Sequence, residues 1–218
     1  QAVRESLVLL KNNNQILPLR KGQNVLVAGK AADDIGQQSG GWTITWQGTG
    51  NTNNDFPGGQ SILDGLQTTG KEVGASVSYS ASGDYDAAPD VAIVVFGETP
   101  YAEGQGDIDS LNYGAADTTS VALLRKFQAA GIPTVSVFLT GRPMWVNAEL
   151  NASDAFVVAW LPGTEGLGVA DVLFAGSGSD FDFKGRLSFN WPAIDLNPND
   201  ADAPIDSVLF PFGYGLTL

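Results

Sequence analysis

The chain has 218 residues, of which 43% are hydrophobic and 16% charged, a composition typical of one globular domain and unlike that of a disordered segment. Its 24 acidic and 11 basic residues give a formal charge of −13, so a nucleic-acid backbone or an anionic membrane surface would be repelled. Cysteine and histidine are both absent, which excludes disulfides, Cys- or His-based metal sites and Ser-His-Asp or Cys-His catalysis within the chain, and leaves acid/base chemistry near neutral pH to carboxylates.

The first predicted element is a helix. Val3, Leu7 and Leu10 recur at helical spacing, and the asparagines at 12–14 followed by Pro18 end the pattern. The opening residues QAVRESLVLLK have a charged middle and do not form a signal peptide, so a chain that starts directly in a helix suggests further residues upstream. No segment approaches the roughly 20 apolar residues that span a bilayer, and we expect no membrane insertion.

Alternating apolar runs and amphipathic stretches predict an α/β fold. Buried strands are predicted at 24–29, 75–80, 91–96, 134–139 and 155–160, and helices between them at 61–69, 117–130 and 164–174. Continuous apolar strands that alternate with helices indicate a three-layer sandwich, in which helices flank a mostly parallel sheet of about six strands. We therefore expect residues 1–218 to form a single domain.

The C-terminal part predicts one further strand. Residues 185–190 alternate apolar and polar side chains, a pattern typical of an edge strand that can run antiparallel to the others. Residues 192–204 are rich in Asp, Asn and Pro and predict a loop. The last segment, 209–218, is expected to pack back onto the domain.

Two loops that follow predicted strands carry the chemistry-bearing residues, as expected of an open sheet whose sites form beyond the carboxyl ends of its strands. The first, residues 40–48, reads GGWTITWQG and places Trp42 and Trp46 among residues that are poor core formers. An indole offers a flat face to a sugar ring and an N–H group to a hydroxyl. The alternative is that both tryptophans are simply buried.

The second loop follows the strand at 91–96 and reads GETPYAEGQGD. It carries the carboxylates Glu98, Glu103 and Asp107 close to Tyr101. A catalytic acid among them would have to enter a cleft where desolvation raises its pKa, so that it stays protonated until it donates to a leaving oxygen. The residue types alone do not select one of the three, and a solvated acidic loop is the alternative.

Other site classes are less well matched. Neither G-x-G-x-x-G nor the P-loop pattern follows the first strand, which argues against a nucleotide-binding domain. A calcium site in the acidic loop would lack the EF-hand spacing. Gly141-Arg142-Pro143 could hold an anion, but a lone arginine in a loop more often pairs with a carboxylate. We expect no cofactor and no metal.

At these two loops the sequence resembles the C-terminal α/β sandwich domain of glycoside hydrolase family 3. The similarity extends over nearly the whole chain, through RESLVLLKN with LPL, GGWTITWQG, GETPYAEGQGD, WLPGTEG with ADVLFAG, and LFPFGYGL. The GGWTITWQG and PYAEGQGD motifs point to the branch that contains β-glucan exohydrolases and β-glucosidases. The absence of histidine disfavours the N-acetylglucosaminidase branch, whose acid/base is a histidine.

The resemblance implies a role for each candidate residue. Glu103 matches the general acid/base, Trp46 matches the tryptophan that clamps the leaving-group sugar, and Trp42 falls on a position that is more structural. Glu98 and Tyr101 are implied as supporting members of the substrate-binding set. The nucleophile, an aspartate, is implied to lie on an N-terminal (β/α)8 barrel of the same polypeptide, which is absent from this chain, so that the isolated chain would be inert.

The expected function is therefore part of a retaining, exo-acting β-glucosidase or exo-β-1,3/1,4-glucanase. Such an enzyme releases glucose from the non-reducing end of β-glucans or cello-oligosaccharides by double displacement. The resemblance implies an extracellular or periplasmic location. Two alternatives remain, a non-catalytic carbohydrate-binding domain, in which Glu103 would be exposed, and a flavodoxin-like or nucleotide-binding domain.

Overall fold

A six-stranded sheet with the order β1-β6-β5-β4-β2-β3 forms the centre of the domain, in a computed structural model that describes residues 1–177, 181–198 and 207–218. Its strands are β1 (Val8–Asn12), β2 (Asn24–Ala28), β3 (Ser76–Tyr79), β4 (Val91–Gly97), β5 (Thr134–Leu139) and β6 (Ala155–Trp160). The helices are α1 (Ala2–Ser6), α2 (Ile35–Ser39), α3 (Ile62–Val73), α4 (Thr119–Ala129), α5 (Asn147–Asn151) and α6 (Gly166–Leu173). All neighbouring strands are parallel except β1, which runs antiparallel to β6.

The sheet separates two hydrophobic cores. Because side chains alternate across a strand, Val91, Ile93 and Val95 of β4 enter the core that α3 and α6 cover. Their neighbours Ala92, Val94 and Phe96 enter the other core with residues of α4 and α5. Burial on both faces explains the continuous apolar runs of the central strands and confirms the predicted α/β sandwich.

The antiparallel edge strand is not the one that the sequence predicted. The first helix ends at Ser6, and the next residues form β1, in which Val8 pairs with Val158 of β6. The predicted helix through Leu10 was therefore wrong, because Leu7 to Leu10 are all buried and alternate between the two cores with the period of a strand. An apolar run without a polar face fits a strand as well as a helix.

Residues 185–190 do not join the sheet, so the prediction of an edge strand there was wrong. This segment is instead bonded to the C-terminal segment, through Leu187 N–H to the Tyr214 carbonyl at 2.9 Å and Gly213 N–H to the Leu187 carbonyl at 2.8 Å. Its alternation reflects burial of Leu187 in one core beside exposed neighbours. β1 instead forms the antiparallel edge strand of the sheet.

The last residues pack back onto the domain, as predicted. Leu216 donates its N–H to the Leu9 carbonyl at 2.9 Å, and the short strands β7 (Trp191–Pro192) and β8 (Val208–Phe210) pair antiparallel. Pro192 of the predicted 192–204 loop belongs to β7, and residues 199–204 lie outside the described residues.

The strand order places a topological switch between β2 and β4. From β2 the chain passes to β3 on one side and then to β4 on the other, which is the doubly wound arrangement. The loops that follow β2 and β4 therefore leave the same edge of the sheet side by side, and they are the two loops that the sequence singled out. Among the described residues, no helix combines the length and the apolar character needed to cross a bilayer.

A buried carboxyl on α5 gives a prediction about stability. Glu149 is 1% exposed, its Oε1 has no hydrogen-bond partner among the described residues, and burial, reinforced by nearby Asp117, raises its pKa above the usual value. A raised folded-state pKa contributes stability below the unfolded pKa, and this contribution is lost as the pH rises through the folded pKa. We expect Glu149→Gln to raise the unfolding midpoint at pH 8 by roughly 2–4 °C, the effect of about 1 kcal/mol, and to leave it unchanged at pH 4.

Thermal unfolding at the two pH values measures this effect. Glu72→Gln is the matched control because Glu72 is exposed on α3. Equal shifts of the Glu149 variant at pH 4 and pH 8, or destabilisation at pH 8, would contradict a buried carboxyl with a raised pKa.

Candidate active site

The loop after β2 contains an exposed aromatic turn, residues 40–48, which we call the indole loop. It begins after α2, whose N-terminus is capped by Asp34 Oδ1 accepting from Gln37 N–H at 2.8 Å. The Gln37 side chain donates to the carbonyls of Gly97 and Glu98 at 2.9 and 3.1 Å. The root of the indole loop is thereby attached to the end of β4, where the second loop begins.

The side chains at the tip of the indole loop point into solvent. Trp42, Ile44 and Trp46 are 68%, 65% and 56% exposed, so the alternative that both tryptophans are simply buried was wrong. The two rings lie 6.3 Å apart between centroids at an angle of 49°. Trp42 and Ile44 have φ of 59° and 61°, a left-handed conformation that is rare for bulky and β-branched residues and marks local strain.

Both indoles donate to the same carboxylate. Trp46 Nε1 lies 2.9 Å from Glu103 Oε2, and Trp42 Nε1 lies 3.0 Å from the same oxygen. Glu103 belongs to residues 98–107, which we call the acid loop, and its side chain is exposed. Sequence reasoning paired Glu103 with Trp46, and the structure brings them together. Trp42, for which a more structural position was implied, shares the contact.

The charged form of Glu103 is stabilised in this domain. The hydrogen bond from Trp46 is the largest cause, followed by a backbone N–H group and then Trp42, and together they hold the pKa of Glu103 below its usual value. A catalytic acid needs a cleft where desolvation raises its pKa, and in this domain alone the Glu103 carboxylate is open to solvent and accepts from donors that favour the ion.

Two close contacts join the loops. A Cβ atom on Gly41 would lie 2.0 Å from the Tyr101 carbonyl oxygen, so this crossing requires glycine. The Gln47 side chain reaches across to the backbone of Ala102 and Glu103 at 2.6 and 2.9 Å. Sequence reasoning missed both residues, although their positions inside GGWTITWQG were the available signal.

Glu98 and Tyr101 form a separate cluster with Arg142 at the base of the acid loop. Arg142 Nε lies 3.1 Å from Glu98 Oε1 and donates to the Tyr101 hydroxyl at 2.8 Å, while its guanidinium lies 3.9 Å from the centre of the Tyr101 ring. Thr140 Oγ1 donates to Glu98 Oε2 at 2.6 Å. The expectation that Arg142 pairs with a carboxylate is confirmed, and these bonds anchor the acid loop to the end of β5.

The three carboxylates of the acid loop do not converge. Glu98 contacts Arg142 and Thr140, Glu103 contacts the indoles, and Asp107 accepts from Gly104 N–H at 3.3 Å. Within the described residues, no group of three or more acidic side chains is placed to hold a metal ion. Burial, with a contribution from Glu98, raises the pKa of Tyr101 to about 12, so its hydroxyl is neutral at physiological pH.

Fold and site define a doubly wound α/β domain that presents an open, indole-bonded carboxylate at the carboxyl edge of its sheet. The family model "Glycosyl hydrolase family 3 C-terminal domain" matches residues 7–218. The chain belongs to this family, as its motifs predicted.

Named relatives agree with this assignment. The crystal structure of an exo-1,3/1,4-beta-glucanase from a Pseudoalteromonas species superposes with a TM-score of 0.91 and 55% identity, over 99% of this chain and 27% of that one. A lysosomal beta glucosidase of Dictyostelium discoideum is 34% identical over 98% of this chain and 28% of its own length. A periplasmic beta-glucosidase of Salmonella typhimurium is 26% identical over 100% of this chain and 34% of its own length. The chain thus spans about a third or less of the proteins it matches.

Proposed function

We propose that this domain supplies the general acid/base of a retaining, exo-acting β-glucosidase or exo-β-1,3/1,4-glucanase. Glu103 is the acid/base and Trp46 contacts the leaving-group sugar. The nucleophile is an aspartate on a (β/α)8 barrel of the same polypeptide. The observation that carries the proposal is the convergence of two exposed indole N–H groups on the Glu103 carboxylate.

The exposed surface around Glu103 supports a site shared with another surface. Trp42, Ile44 and Trp46 of the indole loop are each more than half exposed, and the two indole rings lie 6.3 Å apart between centroids. Exposed apolar patches mark binding surfaces. The relatives named above are called glucosidases or glucanases and are about three times as long as this chain or longer. A second domain that faces this loop is therefore part of the proposal.

The proposed reaction has two displacement steps. In the first, the barrel aspartate attacks the anomeric carbon, the glycosidic C–O bond breaks, and Glu103 gives its proton to the departing oxygen. In the second, Glu103 takes a proton from water, whose oxygen attacks the anomeric carbon and releases the aspartate and glucose. Retention of configuration results because the anomeric carbon is inverted twice.

The first step needs a protonated Glu103, whereas the open site favours the ion. Covering the carboxylate with the barrel and the substrate would remove water and place the negatively charged aspartate nearby, and both changes raise a carboxyl pKa. The indole donors oppose this rise and stabilise the ion that forms once the proton has left. We propose that the two effects together place the Glu103 pKa near the working pH.

Glu98 and Tyr101 take a positioning role in this proposal. Their polar atoms bond to Arg142 and Thr140 at the base of the acid loop. Such bonds fix the start of the loop that carries Glu103. An extracellular or periplasmic location is also proposed, with support from the relative of Salmonella typhimurium that is named as periplasmic.

A non-catalytic carbohydrate-binding domain is the second candidate, because it too would leave Glu103 and the tryptophans exposed, as they are here. A carbohydrate-binding domain would not need Glu103 for turnover, and the anomer released first tests the retaining reaction itself. For the polypeptide that joins the barrel to this chain, we expect ¹H NMR to show β-glucose as the first product from laminari- or cello-oligosaccharides, with α-glucose appearing only at the rate of mutarotation. Release of α-glucose first, or no hydrolysis at all, would refute the proposed function.

Changing Trp46 tests its contact with the second sugar. We expect Trp46→Ala to raise KM for oligosaccharides about tenfold, equivalent to about 1.4 kcal/mol, with a smaller change for aryl glucosides, because only the former place a sugar on the indole. Trp46→Phe is the matched control, since it keeps a ring face and removes the N–H donor to Glu103. Equal effects of the alanine variant on both substrate types would argue against this role.

A further inference from the structure

Gln47 bridges the two loops through both ends of its side-chain amide. Its Oε1 accepts from the Ala102 N–H at 2.6 Å, and its Nε2 donates to the Glu103 carbonyl at 2.9 Å. Because one partner is a donor and the other an acceptor, the orientation of the amide is fixed. The side chain thus bonds to the backbone of two successive residues of the acid loop, Ala102 and Glu103.

The acid loop is held on either side of Glu103 by Arg142, which bonds the Tyr101 hydroxyl and the Gly106 carbonyl, but these bonds do not reach Glu103 itself. It contains no helix or strand, and Gly104 has φ of 85°, a conformation that glycine adopts readily. Next to Glu103, the backbone bond from Gly106 N–H to the Ala102 carbonyl at 2.7 Å stays within the loop and does not join it to the indole loop. The amide of Gln47 supplies this connection.

Gln47 also follows Trp46 directly in the chain. One short segment therefore carries both the indole that bonds the Glu103 carboxylate and the amide that bonds the Glu103 backbone. A shift of the acid loop relative to this segment would lengthen both sets of bonds together. Catalytic groups have to be held within about 0.5 Å of their working positions.

We infer that Gln47 is a positioning residue, whose bidentate contact with the acid loop holds the Glu103 carboxylate against the indoles of Trp42 and Trp46. The kinetic consequence rests on the proposed function of Glu103. The position of the Glu103 carboxylate against the indoles does not rest on that function, and it is measurable in the 218-residue chain itself.

The first measurement follows the indole N–H signals in ¹⁵N-labelled protein as the pH is lowered. The chain has five tryptophans, and Trp42 and Trp46 report on Glu103 because they bond to its carboxylate. In the unaltered chain we expect both signals to titrate with a midpoint below the usual pKa of a glutamate. In Gln47→Met, which keeps the length but not the polar atoms, we expect the midpoint to rise and both signals to move toward those of solvated indoles.

Two further variants complete the design. Gln47→Glu keeps the acceptor for Ala102, removes the donor to Glu103 and adds a negative charge. We therefore expect it to raise the Glu103 pKa at least as much as Gln47→Met does. Gln67→Met, on the exposed side of α3, is the matched control and should leave both signals unchanged. The signals of Trp145, Trp160 and Trp191 confirm that each variant is folded. An unchanged titration in folded Gln47→Met and Gln47→Glu overturns the inference.

The second measurement uses the polypeptide that contains the barrel. We expect Gln47→Met to lower kcat for oligosaccharides by roughly 10- to 100-fold, with a smaller change in KM, because a displacement of about 1 Å costs about that much in rate. If the indole signals shift while both Gln47→Met and Glu103→Gln leave turnover unchanged, the positioning of Glu103 stands and the proposed function fails. If Glu103→Gln abolishes turnover and Gln47→Met changes neither signals nor kcat, the inference fails by itself.

Discussion

Glu103→Gln, in the polypeptide that joins this domain to the proposed barrel, should slow the hydrolysis of laminari- and cello-oligosaccharides by roughly 10² to 10⁴, the contribution of a general acid/base. Glutamine keeps the size of the side chain and an oxygen for the indole N–H groups, but its amide is not acidic and cannot protonate the leaving oxygen. The loss should therefore fall on kcat rather than on folding or substrate binding. Initial rates under saturating substrate measure it directly.

The leaving group supplies an internal control for this variant. An aryl glucoside with a good leaving group needs little protonation in the first step, so its first step should suffer less, and the glycosyl-enzyme should accumulate as a burst of released phenol. Asp107→Asn is the matched control within the same loop and should change the rate by no more than a few-fold. Unchanged oligosaccharide turnover in Glu103→Gln would show that Glu103 is not the acid/base.

Gly41→Ala should separate the two loops and lower activity by at least tenfold. A methyl group at Gly41 would lie 2.0 Å from the carbonyl oxygen of Tyr101, so one of the two backbones has to move. That movement shifts the indole loop relative to Glu103 and weakens the bonds from both tryptophans. Overpacking of this kind costs about 1–3 kcal/mol, so the unfolding midpoint should fall as well.

Gly114→Ala is the control for this substitution. The nearest atom to a Cβ at Gly114 lies 3.4 Å away, and its backbone requires no left-handed conformation, so the same chemical change meets no obstruction there. The midpoint and the activity of this variant should match those of the unaltered protein. Full activity of Gly41→Ala would show that the close contact between the loops does not matter for the site.

The fold was largely predictable because its central strands are buried on both faces. Apolar runs such as 91–96 and 155–160 have no polar period and lie in β4 and β6. The wrong secondary-structure prediction near the N-terminus arose where an apolar run fits a helix as well as a strand. Residues 7–10 are apolar on every side, and sequence alone could not decide between a helix and the edge strand β1, which depends on the tertiary contact with β6.

The candidate site was predictable in its residues but less so in its contacts. The composition of GGWTITWQG and of the acidic loop, with the family resemblance, brought Glu103 and Trp46 together correctly. The second indole bond, from Trp42, and the contacts of Gly41 and Gln47 depend on how two loops of irregular backbone cross, which no periodicity encodes. The lowered pKa of Glu103 depends on the same loop contacts, because the indole N–H donors favour the ionised carboxylate.

The distance between the carboxyl groups of Glu103 and of the proposed barrel aspartate tests most directly whether the two domains form one active site. It is measured in a crystal structure of the polypeptide that contains both the barrel and this domain, with an unreactive glucoside bound. We expect the Glu103 carboxyl to lie within hydrogen-bond reach of the glycosidic oxygen and about 5–5.5 Å from the carboxyl of a barrel aspartate, the separation typical of retaining enzymes. A Glu103 side chain that still faces bulk solvent in that complex, with another residue donating to the glycosidic oxygen, would contradict it.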